Sequence, residues 1–179
     1  MAETDRVHLW AMRVVFCALC LLVMFFNLLP LHLAPRGFAG PDLIVALIFA
    51  WAHRRPSFVP PLAIAGTMLV ADLVFQRPPG LMAAMVLIFA EQMKVRARSQ
   101  RDAGFAVEWL QVSIALIVMA LVFQIAMALL ILPILGWATL LSQVVTTILV
   151  YPLVVAFSHG LLGIRHAGPR ENDRMGFRS

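Results

Sequence analysis

Two apolar runs, each followed by a polar corner, fill residues 41–81, which read PDLIVALIFAWAHRRPSFVPPLAIAGTMLVADLVFQRPPGL. The first run opens with Asp42 and ends at a basic corner, residues 53–56. The second run carries Asp72 near its end and turns through residues 76–80. Apolar runs joined by short polar corners are typical of helices that cross a membrane in opposite directions. Asp42 and Asp72 are then expected at the same side of the membrane.

The composition excludes an ordinary water-soluble domain. Of 179 residues, 62% are hydrophobic and 13% are charged, and the mean hydropathy is +0.92. A soluble domain is about 45–50% apolar and about 25% charged. A soluble fold of this length has no way to bury so much apolar surface, so lipid is the expected solvent. One membrane domain fills the length and leaves no room for a second globular domain.

Several functional classes find no support in the sequence. The formal net charge of +5 raises the idea of nucleic-acid binding, but basic residues between apolar runs indicate topology before they indicate a phosphate-binding surface. Cys17 and Cys20 have redox spacing but lie inside an apolar run, where thiols are inert. The His residues are scattered, and the sequence has neither a Gly-rich phosphate loop nor a nucleophile–base set. We expect no nucleic-acid partner, no metal, no cofactor and no enzymatic activity.

Hydropathy and turn residues predict an all-α integral membrane protein whose single domain, residues 1–164, contains six transmembrane helices. They are predicted at about residues 9–33, 38–53, 58–75, 80–93, 105–132 and 137–164. At about 1.5 Å rise per residue, the longer runs span a hydrocarbon core about 30 Å thick. The second and fourth are short, which indicates either local thinning and tilt or a binding site near the midplane. Residues 165–179 form a basic tail.

The distribution of Lys and Arg orients the predicted helices. Counted from a cytoplasmic N-terminus, twelve basic residues fall on cytoplasmic segments and two, Arg36 and Arg77, fall on outer ones. An excess of Lys and Arg in cytoplasmic loops is the positive-inside rule. Both termini and the tail are therefore expected in the cytoplasm. Merging or dropping one helix would scramble this alternation, which supports the count of six.

Two carboxylates at the outer side are the first candidate site residues. Asp42 opens the second helix, where it either caps free N–H groups or contacts a partner. Asp72 lies in the last turn of the third helix, at the negative end of the dipole, where a carboxylate is disfavoured. We expect it to pair with Arg77, or with Arg36, unless it is hydrated at the headgroups. Asp42, Asp72 and Arg77 are predicted to form one ion-pair network. Gly80 and the prolines before it are expected to hold the turn rigid.

A basic loop at the cytoplasmic side, residues 94–102, is the second candidate. Its basic residues are Lys94, Arg96, Arg98 and Arg101. Each is worth about 1 kcal/mol toward an anionic membrane surface, so the loop is expected to contact anionic lipid or an acidic partner. The alternative is a topology signal alone. Glu91 is expected to pair with Lys94 three residues on, and Glu108 is expected to suit the dipole at the start of the fifth helix.

Four uncharged polar residues lie within the predicted spans: Asn27, Gln124, Gln143 and Tyr151. They are expected to form hydrogen bonds across helices, each worth about 0.6–2 kcal/mol. The alternative is that they line a cavity together.

Short motifs in this chain resemble the rod shape-determining protein MreD family. They are Pro41-Asp42, Gly66 six residues before Asp72, and Pro79-Gly80-Leu81 after it. The length, the six-helix plan and Tyr151-Pro152 in the last helix are similar too. The sequence departs from the family at Gln76, where a glycine is often found.

This resemblance implies a non-enzymatic scaffold in the bacterial inner membrane. Proteins of the family bind the single-pass protein MreC and through it connect MreB filaments with the cell-wall synthase RodA and its penicillin-binding transpeptidase. Their fold resembles the substrate-binding S component of energy-coupling-factor transporters. The alternative function is therefore a membrane subunit that binds a small molecule, such as a vitamin, for transport. Such a subunit needs polar or aromatic groups that converge in an outward pocket, whereas the predicted fifth and sixth helices are nearly all aliphatic.

Overall fold

The computed structural model describes residues 2–29, 39–99 and 104–162. Every regular element in these ranges is helical. In chain order they are α1 (Ala2–Leu28), α2 (Leu43–Arg54), a 3₁₀ turn (Pro56–Phe58), α3 (Pro61–Val74), α4 (Leu81–Ser99), α5 (Phe105–Leu129) and α6 (Trp137–Leu162). The all-α prediction is therefore confirmed for the described part of the chain.

Three of these helices are long and apolar enough to cross a membrane. The apolar segments are Arg6–Leu28 in α1, Phe105–Leu129 in α5 and Trp137–Gly160 in α6. Helices α2 and α3 are apolar but shorter, with 12 and 14 residues. By length and composition the chain has the character of a membrane protein.

Helix α2 is the centre of the packing. Its last eleven residues, from Ile44 to Arg54, are all buried, and α1, α4 and α6 surround it. A helix that is apolar on every side is typical of a protein core or a membrane span, and the burial of α2 places it in the core. Trp51 is its largest buried side chain, and its ring lies 5.5 Å from that of Phe16 on α1.

The outer helices show the opposite pattern. On α6 the exposed large apolar side chains recur every fourth residue: Trp137, Leu141, Val145, Leu149, Leu153 and Phe157. Residues four apart lie on one face of a helix, so this face points away from the bundle. In a protein whose solvent is lipid, such a face needs no protein cover.

The helix bounds differ from the sequence-based ones at several ends. Helix α1 begins at Ala2 rather than near residue 9. Helix α4 continues to Ser99, so most of the expected basic loop is helical. Its Lys, Arg and Ala residues are good helix formers, and they extend the helix past its apolar part. Helix α3 begins only at Pro61, because a residue that precedes a proline avoids the helical conformation. The expected tail, residues 165–179, lies outside the described residues.

Candidate functional site

The carboxylate of Asp72 caps a helix other than its own. Its Oδ2 atom accepts hydrogen bonds from the backbone N–H groups of Gly80, at 3.0 Å, and Ala83, at 3.2 Å. These are the residue before α4 and the third residue of α4, whose N–H groups have no acceptor within the helix. Asp72 is fully buried. The positive end of the α4 dipole therefore offsets the unfavourable position of Asp72 at the end of α3.

The expected ion pair between Asp72 and Arg77 is not formed. The Nη1 atom of Arg77 lies instead 3.8 Å from Oδ2 of Asp42. The physical reason is the residue at the start of α4: Gly80 has no side chain to cap the helix, so the acceptor must come from elsewhere. A glycine at a predicted helix start, with a carboxylate eight residues earlier, is the signal that sequence reasoning missed.

The turn between α3 and α4 has the hydrogen bonds of a Schellman motif. The N–H of Arg77 donates to the carbonyl of Asp72 at 2.9 Å, and the N–H of Gln76 donates to Leu73 at 3.3 Å. Gln76 has φ 54°, the left-handed conformation that glycine favours. The chain thus adopts a glycine-type backbone conformation at the very position where its sequence departs from the MreD pattern.

Asp42 caps α2, as the sequence predicts. Its Oδ1 atom accepts from the N–H of Val45 at 3.2 Å, and its own N–H donates to the hydroxyl of Thr147 on α6 at 2.9 Å. Three residues earlier in the loop, the N–H of Ala39 donates to the hydroxyl of Ser142, also on α6, at 3.0 Å. Hydroxyls of α6 therefore fix the approach to α2.

A cavity of about 310 Å³ lies beside this cap. It is formed at the end of α1, the start of α2 and the turn after α3, with α6 closing one side. The lining residues are Asn27, Ala39, Gly40, Pro41, Asp42, Ile44, Phe75, Arg77 and Gln143. Two of the uncharged polar residues that the sequence singled out, Asn27 and Gln143, thus do line a cavity.

The other two of those polar residues form hydrogen bonds between segments. Tyr151 donates to Oε1 of Glu108 on α5 at 2.7 Å. The side-chain N–H of Gln124 donates to the carbonyl of Leu135, in the connection between α5 and α6. Asn27 bonds within its own helix, to the carbonyl of Val23 at 2.9 Å.

A buried ion pair joins α2 to α5 at the opposite end of α2 from Asp42. Arg54 and Glu108 have side chains that are 9% and 1% exposed, and Nη2 of Arg54 is 2.9 Å from Oε2 of Glu108. The sequence places Glu108 correctly in the first turn of α5. The sequence predicts no role for Arg54 beyond topology. Both residues are expected on the cytoplasmic side, and this common location was the available signal for the ion pair.

The basic segment divides into residues with different environments. Lys94 is buried, and its Nζ donates to the carbonyl of Val59 and to Oε1 of Glu91 at 2.7 Å, which confirms the expected pair with Glu91. Arg96 is exposed on α4. Arg98 belongs to the last turns of α4, and Arg101 lies outside the described residues. The prediction that Lys94 contacts lipid headgroups is therefore wrong, because its side chain is bound inside the fold.

Comparison with family models, with curated proteins and with solved structures finds no match to this chain. Within the described ranges, no three His, Cys, Asp or Glu side chains converge as a metal site requires.

Proposed function

We propose that this chain is a non-enzymatic, multi-pass scaffold protein of the bacterial inner membrane that resembles the MreD family and binds the membrane helix of MreC. Its indirect partners would be MreB, RodA and the penicillin-binding transpeptidase of the elongation machinery. The proposed protein crosses the membrane six times and has both termini in the cytoplasm. Its proposed fold is like that of the S component of energy-coupling-factor transporters.

One observation carries this proposal. Three of the residues on which the resemblance depends, Asp42, Asp72 and Gly80, are up to 38 residues apart in sequence and are joined in space with the help of Arg77. Asp72 bonds the start of α4 at Gly80, and Arg77, in the same turn, contacts Asp42 at the start of α2. Residues that meet in this way fix how α2, α3 and α4 are arranged at one end of the bundle, which is what a docking surface for a partner helix requires.

The environment of the acidic residues supports a role without chemistry. The four carboxylates whose side chains are described are those of Asp42, Asp72, Glu91 and Glu108. Each accepts hydrogen bonds from the start of a helix or from a basic side chain. A general acid–base pair needs two titratable groups that converge near a substrate, and Asp42 is the one carboxylate of these four that lines the cavity.

Co-purification with tagged MreC tests the proposal. We expect the wild-type chain to be captured from membranes, and Asp72→Ala to reduce the captured fraction because α4 loses its cap. Glu91→Ala makes the same charge change at a carboxylate that is 43% exposed in the middle of α4, away from the cap, and it should be captured normally. If wild-type protein at normal membrane levels is not captured, the proposed function is wrong.

A second candidate function is small-molecule binding for transport, and the cavity favours it. Its volume of about 310 Å³ lies at the lower end of the range for ligand pockets, about 300–1,000 Å³. A transporter subunit would be captured by an energy-coupling module rather than by MreC, so the same purification with such a module as bait separates the two functions.

A further inference from the structure

The cavity beside the α2 cap contains two charged groups with unused bonding capacity. Nη1 of Arg77 is 3.8 Å from Oδ2 of Asp42, which is too long for a hydrogen bond. Among the described residues no other oxygen accepts from this guanidinium. The side chains are 27% and 14% exposed, so both are mostly shielded while they line the cavity.

Arg77 is positioned to bind an oxyanion. Its guanidinium lies 5.3 Å from the centre of the Phe75 ring, which restricts its orientation. The planar group has five N–H donors in a fork that matches the oxygens of a phosphate or carboxylate. These donors face a cavity at the start of α2, where the helix dipole also favours negative charge.

Asp42 adds the opposite requirement. Its Oδ1 atom is engaged by the N–H of Val45, whereas its Oδ2 atom accepts no hydrogen bond from a described residue. An anion alone would bind Arg77 but would be repelled by this carboxylate. A cation alone would bind Asp42 but would be repelled by Arg77. A ligand that carries both charges a few ångströms apart satisfies both residues.

Two carboxamides complete the polar lining. The side chain of Gln143 makes no hydrogen bond within the described structure, and Asn27 uses one N–H for the carbonyl of Val23, which leaves its oxygen available. The cavity therefore has two carboxamides with unused polar atoms beside its two charged groups.

We propose that this cavity binds a zwitterionic phosphoethanolamine group, with its phosphate on Arg77 and its ammonium on Asp42. The group can come from membrane phosphatidylethanolamine or from free phosphoethanolamine, which have the same charged chemistry. This inference does not depend on MreC binding.

Lipid binding to the purified full-length protein tests the assignment. Short-chain phosphatidylethanolamine and phosphatidylglycerol are titrated separately and followed by native mass spectrometry. The wild type should prefer phosphatidylethanolamine by about tenfold, the effect of one charge-assisted hydrogen bond to its ammonium. Equal binding of the two lipids by the wild type overturns the proposal.

Variants assign the two halves of the ligand. Asp42→Asn keeps an oxygen that can cap α2, and it should remove the preference between the two lipids. Arg77→Gln should lower the affinity for both lipids by about tenfold or more, because each lipid loses its phosphate contact. Arg6→Gln removes an exposed arginine near the start of α1 and should change neither affinity. Unchanged lipid affinities in a folded Arg77→Gln protein also overturn the proposal.

Two further measurements make the result decisive. If Arg77→Gln does not fold, Arg77→Lys replaces it, because lysine keeps the charge but loses the planar fork. This variant should still bind both lipids more weakly. Unchanged affinity rejects the assignment. Free phosphoethanolamine added to the lipid complex then distinguishes the sources. Displacement at concentrations comparable to the lipid identifies a soluble ligand, and retention of the lipid identifies the membrane as the source.

Discussion

Arg54 and Glu108 form a buried ion pair with two hydrogen bonds between α2 and α5. Nε of Arg54 donates to Oε1 at 3.1 Å, and Nη2 donates to Oε2 at 2.9 Å. Because Tyr151 donates to the same carboxylate from α6, three helices meet at one side chain. A buried pair of this kind need not stabilise a fold more than apolar residues would, but removal of one partner leaves an uncompensated charge.

The first prediction concerns this pair. Glu108→Gln should lower the free energy of unfolding by about 3–5 kcal/mol, since Arg54 stays buried without a counter-charge. Unfolding by SDS in mixed micelles measures the change. Arg54→Met is the second single variant. The double variant, Arg54→Met with Glu108→Gln, should lose less free energy of unfolding than the two single variants lose together. Additive losses would show that the two residues do not depend on each other.

The second prediction concerns the proline within α6. Pro152 has no N–H, so the carbonyl of Ile148 loses its helical donor. The indole N–H of Trp109 on α5 donates to that carbonyl at 3.0 Å. Trp109→Phe should therefore cost about 1 kcal/mol of stability. In a Pro152→Ala background the helix regains its own donor, and the same change should cost much less. If Trp109→Phe costs the same in both backgrounds, the indole does not compensate for the missing N–H of Pro152.

The third prediction concerns Gln76, whose φ of 54° is unfavourable for a residue with a Cβ atom. Gln76→Gly and Gln76→Ala both remove the long side chain, but only alanine keeps Cβ. The glycine variant should be more stable than the alanine variant by about 1 kcal/mol in thermal unfolding. Equal stability would mean that the turn is not held in this conformation in the folded protein.

Composition and periodicity predict the all-helical fold because they depend on single residues and their neighbours. The caps and pairs one to three residues apart are also predictable: Asp42 on the start of α2, and Glu91 with Lys94, both follow from local geometry. The bounds of α4 were less predictable, since a basic helical extension and a basic loop have the same composition.

The long-range partners are not predictable in this way. Charge alone offers Asp72 a cation as its partner, and Arg77 is the nearest one in sequence. The actual donors are backbone N–H groups, which every residue except proline carries, so the glycine at the start of α4 was the one hint in the sequence. Arg54 and Glu108 are 54 positions apart, so only their expected position on the same side of the membrane hinted at the pair.

The fourth prediction is the orientation of the termini. The ratio of twelve cytoplasmic to two outer basic residues predicts both termini inside. Fusion reporters at Ser179 should give a cytoplasmic signal, and a reporter inserted at Gly37 should give a periplasmic one. A periplasmic signal at Ser179 would contradict the proposed six spans, because an even number of spans returns the chain to its starting side.

The last prediction separates the cap at Asp72 from the ion pair that the sequence suggests. Asp72→Ala removes the acceptor for the N–H groups of Gly80 and Ala83, and each orphaned donor costs about 1–3 kcal/mol if it stays buried. Hydrogen exchange by mass spectrometry should show loss of amide protection at the start of α4. Arg77→Gln keeps the acceptor, so these amides should remain protected in that variant. Asp42→Ala should expose the amide of Val45 at the start of α2 and leave α4 unchanged. If Arg77→Gln deprotects the start of α4 as strongly as Asp72→Ala does, then the arginine holds Asp72 in place and the cap alone does not account for this turn.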